Sequence, residues 1–271
     1  MKNIKFISVL IIVAMIYTGF IFLDHREQTH GESPVISVSD KVLEVSVKDK
    51  DKKLLKGVKA SDKEDGNITS RVFIENISEF DENKERTITY AVFDNDDHIT
   101  RATRKIKYND YKAPTFDIAF PLVTRYFGNR SYYLQHVKAK SSVDGDISSK
   151  LNFKVINPDI TSPYDLIEYQ VTDSTGTTST IRLKANDIIG DGKVEINLYD
   201  NLIYVDKGTN IHPMAYVEEV KYLDMEDQEL YRNIKVQTDY NPDKAGTYEF
   251  IYHVNAPNGD YGVSKLVVVV K

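Results

Sequence analysis

The sequence predicts an all-β chain of tandem β-sandwich modules that follow one N-terminal transmembrane helix. Three observations lead to this fold class. Residues 58–69 and 90–94 have counterparts 79 positions later, at 137–148 and 169–173. Apolar and polar residues alternate with period two in many runs beyond residue 34, which is typical of half-buried strands. Residues 6–23 form an almost unbroken apolar run.

The apolar run over residues 6–23 is long enough to cross a bilayer, since a helix rises about 1.5 Å per residue. Lys2 and Lys5 precede it and several acidic residues follow it, so the positive-inside rule predicts a cytoplasmic N-terminus. We therefore predict a cytoplasmic tip and membrane anchor over 1–23 and a polar linker over 24–33. A cleaved signal peptide is the alternative, but its apolar core is shorter and a small-x-small cleavage site follows it.

Three modules are predicted beyond the linker. The first two both end in Asn-Asp, at Asn109-Asp110 and at Asn186-Asp187. The junctions contain no Gly/Ser-rich spacers, so we expect limited hinging between modules. Helical periodicity is confined to the anchor and to a turn within 222–231. The predicted module boundaries are 34–110, 111–187 and 188–271.

Strand formers are plentiful, with 18 Tyr and 11 Phe among 271 residues, but the chain contains no Cys and no Trp. Without cysteine there is no disulfide, thiolate metal site, cysteine nucleophile or lipid-modified N-terminal cysteine. Packing alone must hold each module, as is common in surface proteins of Gram-positive bacteria. The formal net charge of −6 argues against nucleic acid as a partner.

The first module carries Ala60-x-Asp62-x-x-Asp65-Gly66-Asn67-Ile68-Thr69, and the third carries Lys244-Ala245-Gly246-Thr247-Tyr248. Together these motifs resemble the bacterial immunoglobulin-like repeats of group-3 and DUF5011 type, over about residues 34–271. The second module departs most from the family, with Ala139-Lys140-Ser141 in place of Ala-x-Asp. The resemblance implies a seven-strand immunoglobulin-like sandwich and a surface role, with no enzymatic residues.

One tyrosine in each module stands two residues before a valine. Immunoglobulin sandwiches place a tyrosine at the same distance before a strand-F cysteine, and its hydroxyl ties back to upstream backbone. In the third module Tyr248-x-Phe250 fits the rule as well as Tyr252-x-Val254, so the choice stays open. The other pairs are Tyr90-x-Val92 and Tyr169-x-Val171.

The repeated Asp-Gly dipeptides predict a local backbone conformation. Gly66 and Gly145 should adopt a positive φ, which glycine tolerates best. Ile68 and Ile147 would then point into the cores of their modules.

Acidic residues in the loops of the first module permit two interpretations. Asp62, Asp65, Asn67 and the run Asp94-Asn95-Asp96-Asp97 contain the oxygen atoms that Ca²⁺ prefers. The EF-hand spacing fails, and the second module has Ser141 in place of Asp62. Turn capping is the favoured interpretation and a cation in the first module is the alternative, so we predict no metal-binding residues.

No pattern of catalytic residues is present in the sequence. The six histidines share no metal-like spacing, and neither Gly-x-Ser-x-Gly nor His-Glu-x-x-His occurs. Phosphate-binding glycine loops are absent too. We predict no catalytic and no cofactor-binding residues, and the sequence does not place an intramolecular Lys–Asn crosslink.

The sequence thus predicts a non-enzymatic, membrane-anchored bacterial cell-surface protein that presents three immunoglobulin-like modules for adhesion, scaffolding or spacing. Its expected partners are the membrane, through residues 6–23, and an unidentified surface protein or glycan, with no small-molecule substrate. The alternative is an accessory binding subunit of an envelope complex. The apolar last strand, Leu266–Val270, indicates either a ligand contact or the preference of sheets for β-branched residues, and we favour the latter.

Overall fold

The computed structural model describes residues 18, 31–119, 130–156, 164–186 and 190–271. The predicted anchor lies outside these residues apart from Thr18, and the linker is described only from Gly31. Within the described ranges, none of the helices combines the length and apolar character needed to cross a membrane. Contacts divide the chain into two compact units, Met1–Tyr111 and Lys112–Lys271, and the division into three modules stays a prediction.

The first unit contains seven described strands in two sheets. One sheet has the order β1-β3-β4 and the other β2-β7-β6-β5. Strand β2 runs parallel to β7, and the remaining pairs are antiparallel. The strands are β1 (Val35–Val38), β2 (Val42–Val45), β3 (Val58–Asp62), β4 (Gly66–Asn67), β5 (Phe73–Ile77), β6 (Arg86–Phe93) and β7 (Ile99–Tyr108), with a short helix α1 (Asp51–Leu54).

One apolar core joins the two sheets of the first unit. On β6 the alternate residues Ile88, Tyr90 and Val92 are fully buried, as the period-two pattern predicted. Ala60 from the opposite sheet and Ile68 from the loop after β4 belong to the same core. The prediction that Ile68 points inward is therefore confirmed, and two sheets around one core make a β-sandwich.

The second unit begins with six described strands in two sheets, ordered β10-β9-β8 and β11-β12-β13. Ile147, the counterpart of Ile68, is buried in the core between them, as predicted. The elements are β8 (Thr115–Ile118), α2 (Arg130–His136), β9 (Val137–Ser141), β10 (Gly145–Asp146), β11 (Asn152–Val155), β12 (Tyr164–Thr172) and β13 (Thr178–Asn186).

The rest of the second unit repeats the sheet orders of the first unit, as β14-β16-β17 and β15-β20-β19-β18, with β15 parallel to β20. The described chain is therefore all-β, as predicted, with the strand arrangement of immunoglobulin-like sandwiches. The elements are β14 (Val194–Leu198), β15 (Leu202–Val205), β16 (Val217–Tyr222), β17 (Met225–Glu226), α3 (Gln228–Arg232), β18 (Lys235–Thr238), β19 (Gly246–Asn255) and β20 (Tyr261–Val270).

The last strand, β20, is buried on both faces. Leu266, Val268 and Val270 pack into the core between the sheets of β14 and β15. Val267 points the other way and joins the core that contains Phe116 and Ile181. The apolar run at the end of the chain therefore has a packing reason, because it connects two cores of the second unit.

The expectation that helical structure is confined to the anchor and to residues 222–231 is wrong. Helix α3 begins within 222–231 and ends one residue beyond it, at Arg232. The Asp227 carboxylate caps this helix by accepting from the backbone N–H groups of Glu229 and Leu230, both at 2.9 Å. Helices α1 and α2 were not expected. With four and seven residues they are too short to show a 3.6-residue periodicity.

Candidate functional site

A buried tyrosine in each repeat bonds to backbone far upstream in the chain. In each case the tyrosine hydroxyl donates to a carbonyl oxygen 36 to 39 residues earlier in the chain. All three tyrosines are at most 1% exposed. This is the tie that the Tyr-x-Val spacing predicted. The pairs are Tyr90 with Leu54 (2.7 Å), Tyr169 with Tyr133 (3.0 Å) and Tyr252 with Pro213 (2.9 Å).

The structure decides between the two tyrosines that the sequence left open. Tyr252 is fully buried and makes the long-range bond to Pro213. The Tyr248 hydroxyl donates to the carbonyl of Lys244, only four residues earlier, in an exposed setting. Burial raises the pKa of Tyr252 well above its usual value of 10.0, so its hydroxyl stays protonated and remains a donor.

Arg104 adds a second tie in the first unit. It is 3% exposed, and its guanidinium donates to the Tyr90 hydroxyl at 2.6 Å and to the carbonyl of Lys56 at 2.9 Å. It also donates to the carbonyl of Leu54. Burial raises the pKa of Tyr90, and the nearby guanidinium opposes that rise. This network stabilises the loop around α1, and the sequence contained no signal for it.

The loop acids of the first unit cap turns. Asp62 Oδ1 accepts from the backbone N–H groups of Glu64 (2.9 Å) and Asp65 (2.8 Å). Asp94 Oδ1 accepts from the backbone of Asp96 (2.9 Å) and His98 (2.8 Å). The backbone donors, that of Asp65 foremost, hold the pKa of Asp62 below its usual 3.8. These contacts agree with the turn-capping interpretation of Asp62 and Asp94.

Asp65 holds two loops of the same unit together. Its carboxylate accepts from the Asn95 backbone at 2.8 Å and from Arg71 at 3.0 Å. In the second unit Asp144 makes the equivalent bond to the Ser174 backbone at 2.6 Å. The two repeats therefore use this aspartate for the same structural purpose.

In the second unit Ser141 takes the place of Asp62 and caps the corresponding turn. Its hydroxyl oxygen accepts from the backbone of Val143 (3.1 Å) and Asp144 (3.2 Å), and it donates to Asp173 Oδ2 at 3.1 Å. In the first unit Asp62 Oδ2 is buried and has no hydrogen-bond partner among the described residues. Across those residues no three acidic or histidine side chains are placed to hold a metal ion together.

A cleft of about 600 Å³ lies within the second unit, between the sheet of β12 and β13 and the ends of β19 and β20. The sequence did not predict it, because its walls come from strands that are distant from one another in the chain. Its lining combines apolar, hydroxyl-bearing and charged side chains. It consists of Pro114, Phe116, Leu166, Glu168, Ser179, Thr180, Ile181, Arg182, Lys184, Tyr204, Gly246, Thr247, Glu249, Val269 and Lys271.

A buried ion pair stands at one side of the cleft. Lys265 Nζ lies 2.9 Å from Glu249 Oε1, and both side chains are 8% exposed. Lys265 also donates to the carbonyl oxygen of Lys184 at 2.7 Å, so it connects β20 to β13. Burial lowers the pKa of Lys265 and Glu249 opposes that change. A second cation near the same carboxylate is Lys184, 3.8 Å from Glu249 Oε2 and 3.2 Å from Asp239.

The opposite wall carries a second charge cluster. Glu168 accepts from Lys154 at 2.7 Å and from Arg182 at 2.9 Å, and both cations lower the pKa of its carboxyl, Lys154 foremost. The Lys271 amine lies 4.8 Å from the centre of the Tyr204 ring, within range of a cation–π interaction. The cleft is thus a charged, partly apolar concavity whose size suits a small ligand.

Comparisons with known proteins give structural matches alone. No family model matches the chain, and no curated protein does. Among solved structures, the chain is similar to "CBM51-2 in complex with GlcNAc and INT domains" of Clostridium perfringens ZmpB, with 16% identity, 88% of this chain, 44% of that chain and a TM-score of 0.23. It is also similar to Drosophila N-cadherin EC1-4, with 13% identity, 74% of this chain, 66% of that chain and a TM-score of 0.20.

A third similar structure is protocadherin gamma B2, extracellular domains 3–6, with 10% identity, 88% of this chain, 73% of that chain and a TM-score of 0.19. The chain spans less than half the length of the C. perfringens chains it matches. TM-scores this low do not establish a shared global fold. The immunoglobulin-like arrangement therefore rests on the strand orders and cores described above.

Proposed function

We propose that this chain is a non-enzymatic, membrane-anchored bacterial cell-surface protein whose three immunoglobulin-like modules serve in adhesion, scaffolding or spacing. In this proposal the modules belong to the group-3 and DUF5011-type repeats, residues 6–23 anchor the chain, and the modules face the outside of the cell. Its partners are the membrane and a surface protein or glycan.

The observation that carries this proposal is the structural use of the repeated residues. Tyr90 and Tyr169 hold upstream loops, and Asp65 and Asp144 hold neighbouring turns. The repeated residues thus maintain the fold and do not form a reactive site. Repeats of this kind are typical of modules that extend a chain or present a surface. The double-sided burial of β20, through Val267, supports a mechanical role because it joins two cores of the second unit.

Fractionation and protease treatment of intact cells test this proposal. The full-length chain should sediment with membranes and resist extraction at high pH, because an apolar run of 18 residues would be inserted in the bilayer. Protease added to wall-permeable cells should remove the modules and leave a small membrane-bound fragment. A chain recovered in the soluble fraction, or one untouched by the protease, would count against the proposal.

An exposed apolar turn favours the alternative role as an accessory binding subunit. Leu223, in the turn between β16 and β17, is 56% exposed, and Met225, the first residue of β17, is 70% exposed. Leu223 and Asp224 both have a positive φ, of 49° and 65°, which leucine rarely adopts. The equivalent turns, at residues 63–65 and 142–144, carry polar or smaller side chains. An exposed apolar turn with strained backbone is typical of a protein contact.

Co-purification separates the two roles. A binding subunit should bring down one membrane partner in a fixed ratio, and the double substitution Leu223→Ser/Met225→Ser should abolish that recovery. The exposed double substitution Lys207→Ser/Lys244→Ser serves as the control, since it removes two exposed side chains elsewhere in the same sandwich. A chain without any stoichiometric partner supports the scaffold or spacer role.

A further inference from the structure

The cleft of the second unit carries positive charge in an acidic protein. Three cations and two carboxylates line it, while the whole chain has a formal charge of −6. Each of the two carboxylates is also paired with a lysine that does not line the cleft, namely Lys154 for Glu168 and Lys265 for Glu249. Lysines outside the cleft therefore largely neutralise the two carboxylates of the lining. The electrostatic field in the cleft then favours a negatively charged ligand.

Two of the three cations are available to a ligand. Arg182 contacts Glu168 through Nε, and its side chain is 62% exposed, so its terminal nitrogens retain donors. Lys271 forms no ion pair with any carboxylate in the described ranges, and its amine lies over the Tyr204 ring. Lys184 is different, because Asp239 and Glu249 already hold it.

The neutral part of the lining suits a ligand with many hydroxyl groups. Ser179, Thr180 and Thr247 provide hydroxyls, each of which both donates and accepts hydrogen bonds. Phe116 and Val269 provide apolar surface for the C–H groups of a ring. A volume of about 600 Å³ lies within the range of about 300–1,000 Å³ typical of small-ligand sites, so a short oligosaccharide fits.

We propose that this cleft binds an acidic saccharide, whose anionic group is a carboxylate or a phosphate. Arg182 and Lys271 hold the anion, and Ser179, Thr180 and Thr247 bond to the neighbouring hydroxyls. The inference goes beyond the surface role proposed above, because it concerns the second unit alone and holds wherever the chain is located.

Calorimetric titration of the full-length chain in detergent micelles tests the ligand class. The probes are trigalacturonate for the carboxylate source, maltotriose carrying one phosphate ester for the phosphate source, uncharged maltotriose and pentaglutamate. We expect one of the two acidic polyols to bind at least tenfold more tightly than maltotriose and than pentaglutamate. Absence of binding by both acidic polyols would overturn the proposal, and so would equal or tighter binding of pentaglutamate.

Matched substitutions test the site. Arg182→Gln and Lys271→Gln should each weaken binding of the preferred probe at least fivefold, because each removes a charge that faces the ligand. Lys235→Gln removes an exposed cation of the same unit that neither lines the cleft nor pairs with its carboxylates, so it should change affinity less than twofold. If Lys235→Gln weakens binding as much as Arg182→Gln, the assigned site is wrong. Thermal unfolding of each variant verifies folding, and Lys271 is exposed enough for its variant to fold.

Discussion

The Tyr90 hydroxyl donates a hydrogen bond of 2.7 Å to the carbonyl oxygen of Leu54, the last residue of α1. In the second unit Tyr169 bonds in the same way to Tyr133, within the last four residues of α2. The last four carbonyls of a helix lack intrahelical donors, so each tyrosine satisfies one of them inside the protein. The repeat thus preserves a long-range tie between a strand and a short helix.

The third of these ties gives a direct comparison within one strand. Tyr252→Phe should lower the free energy of unfolding by about 1–3 kcal/mol, because it leaves the partly buried Pro213 carbonyl without its donor. Tyr248→Phe should change it by less than about 0.5 kcal/mol, because its hydroxyl is exposed to water. Urea unfolding of the two variants measures both values. Equal losses would show that Tyr252 has no special role.

The buried pair beside the cleft should be costly to break. Glu249→Gln leaves the Lys265 charge buried without its carboxylate, and we expect a loss of about 3–5 kcal/mol in the stability of the second unit. The double substitution Glu249→Leu/Lys265→Met should recover most of that loss, because it buries no charge.

The exposed pair of Glu75 and Arg101 is the control for this prediction. Arg101 Nη2 lies 2.7 Å from Glu75 Oε1, but half of the arginine side chain is exposed. Glu75→Gln should therefore cost less than about 1 kcal/mol. Chemical unfolding compares the variants, and a Glu249→Gln effect as small as that of Glu75→Gln would contradict the importance of the buried pair.

Gly66 and Gly145 should respond alike to substitution. Both have a positive φ, of 71° and 74°, as the Asp-Gly dipeptides predicted, and an added Cβ would meet no atom within 4 Å. Alanine at either position should therefore cost about 1–2 kcal/mol from backbone strain alone. Asparagine, which tolerates this conformation better, should cost less. Denaturant unfolding checks the order, and an alanine variant as stable as wild type would contradict the strained backbone.

Acid should weaken the first unit partly through Asp81. Lys105 Nζ lies 2.6 Å from Asp81 Oδ2 and lowers the pKa of Asp81 below its usual 3.8. The backbone N–H of Glu85 lowers this pKa further. A carboxyl with a lowered pKa in the folded state adds stability above pH 3.8, and that stability is lost as the pH falls through the folded-state pKa. Urea unfolding from pH 6 to pH 2.5 should show a steeper acid loss in wild type than in Asp81→Asn. Parallel profiles would exclude this role.

Features that depend on local patterns could be predicted from the sequence. The buried face of β6, with Ile88, Tyr90 and Val92, follows from alternation, because a strand presents every second side chain to its core. The positive φ of Gly66 follows from the dipeptide itself. Such features require only neighbours in the chain or a period within one strand.

Features that depend on a second packed surface could not be predicted. By alternation Lys265 and Val267 face away from their own core, which in a single sandwich means towards water. In the structure Val267 packs into another core and Lys265 meets Glu249 and the Lys184 carbonyl. The cleft was missed for the same reason, because strands distant in sequence form it.

Membrane topology is the central claim of the proposed function, and thiol labelling tests it most directly. The chain has no cysteine, so a single introduced cysteine is its sole thiol. In intact cells a membrane-impermeant maleimide should label Lys207→Cys, at an exposed position, and should label Asn3→Cys only after the membrane is permeabilised. Labelling of Asn3→Cys in intact cells, or protection of Lys207→Cys, would contradict a surface protein with a cytoplasmic N-terminus.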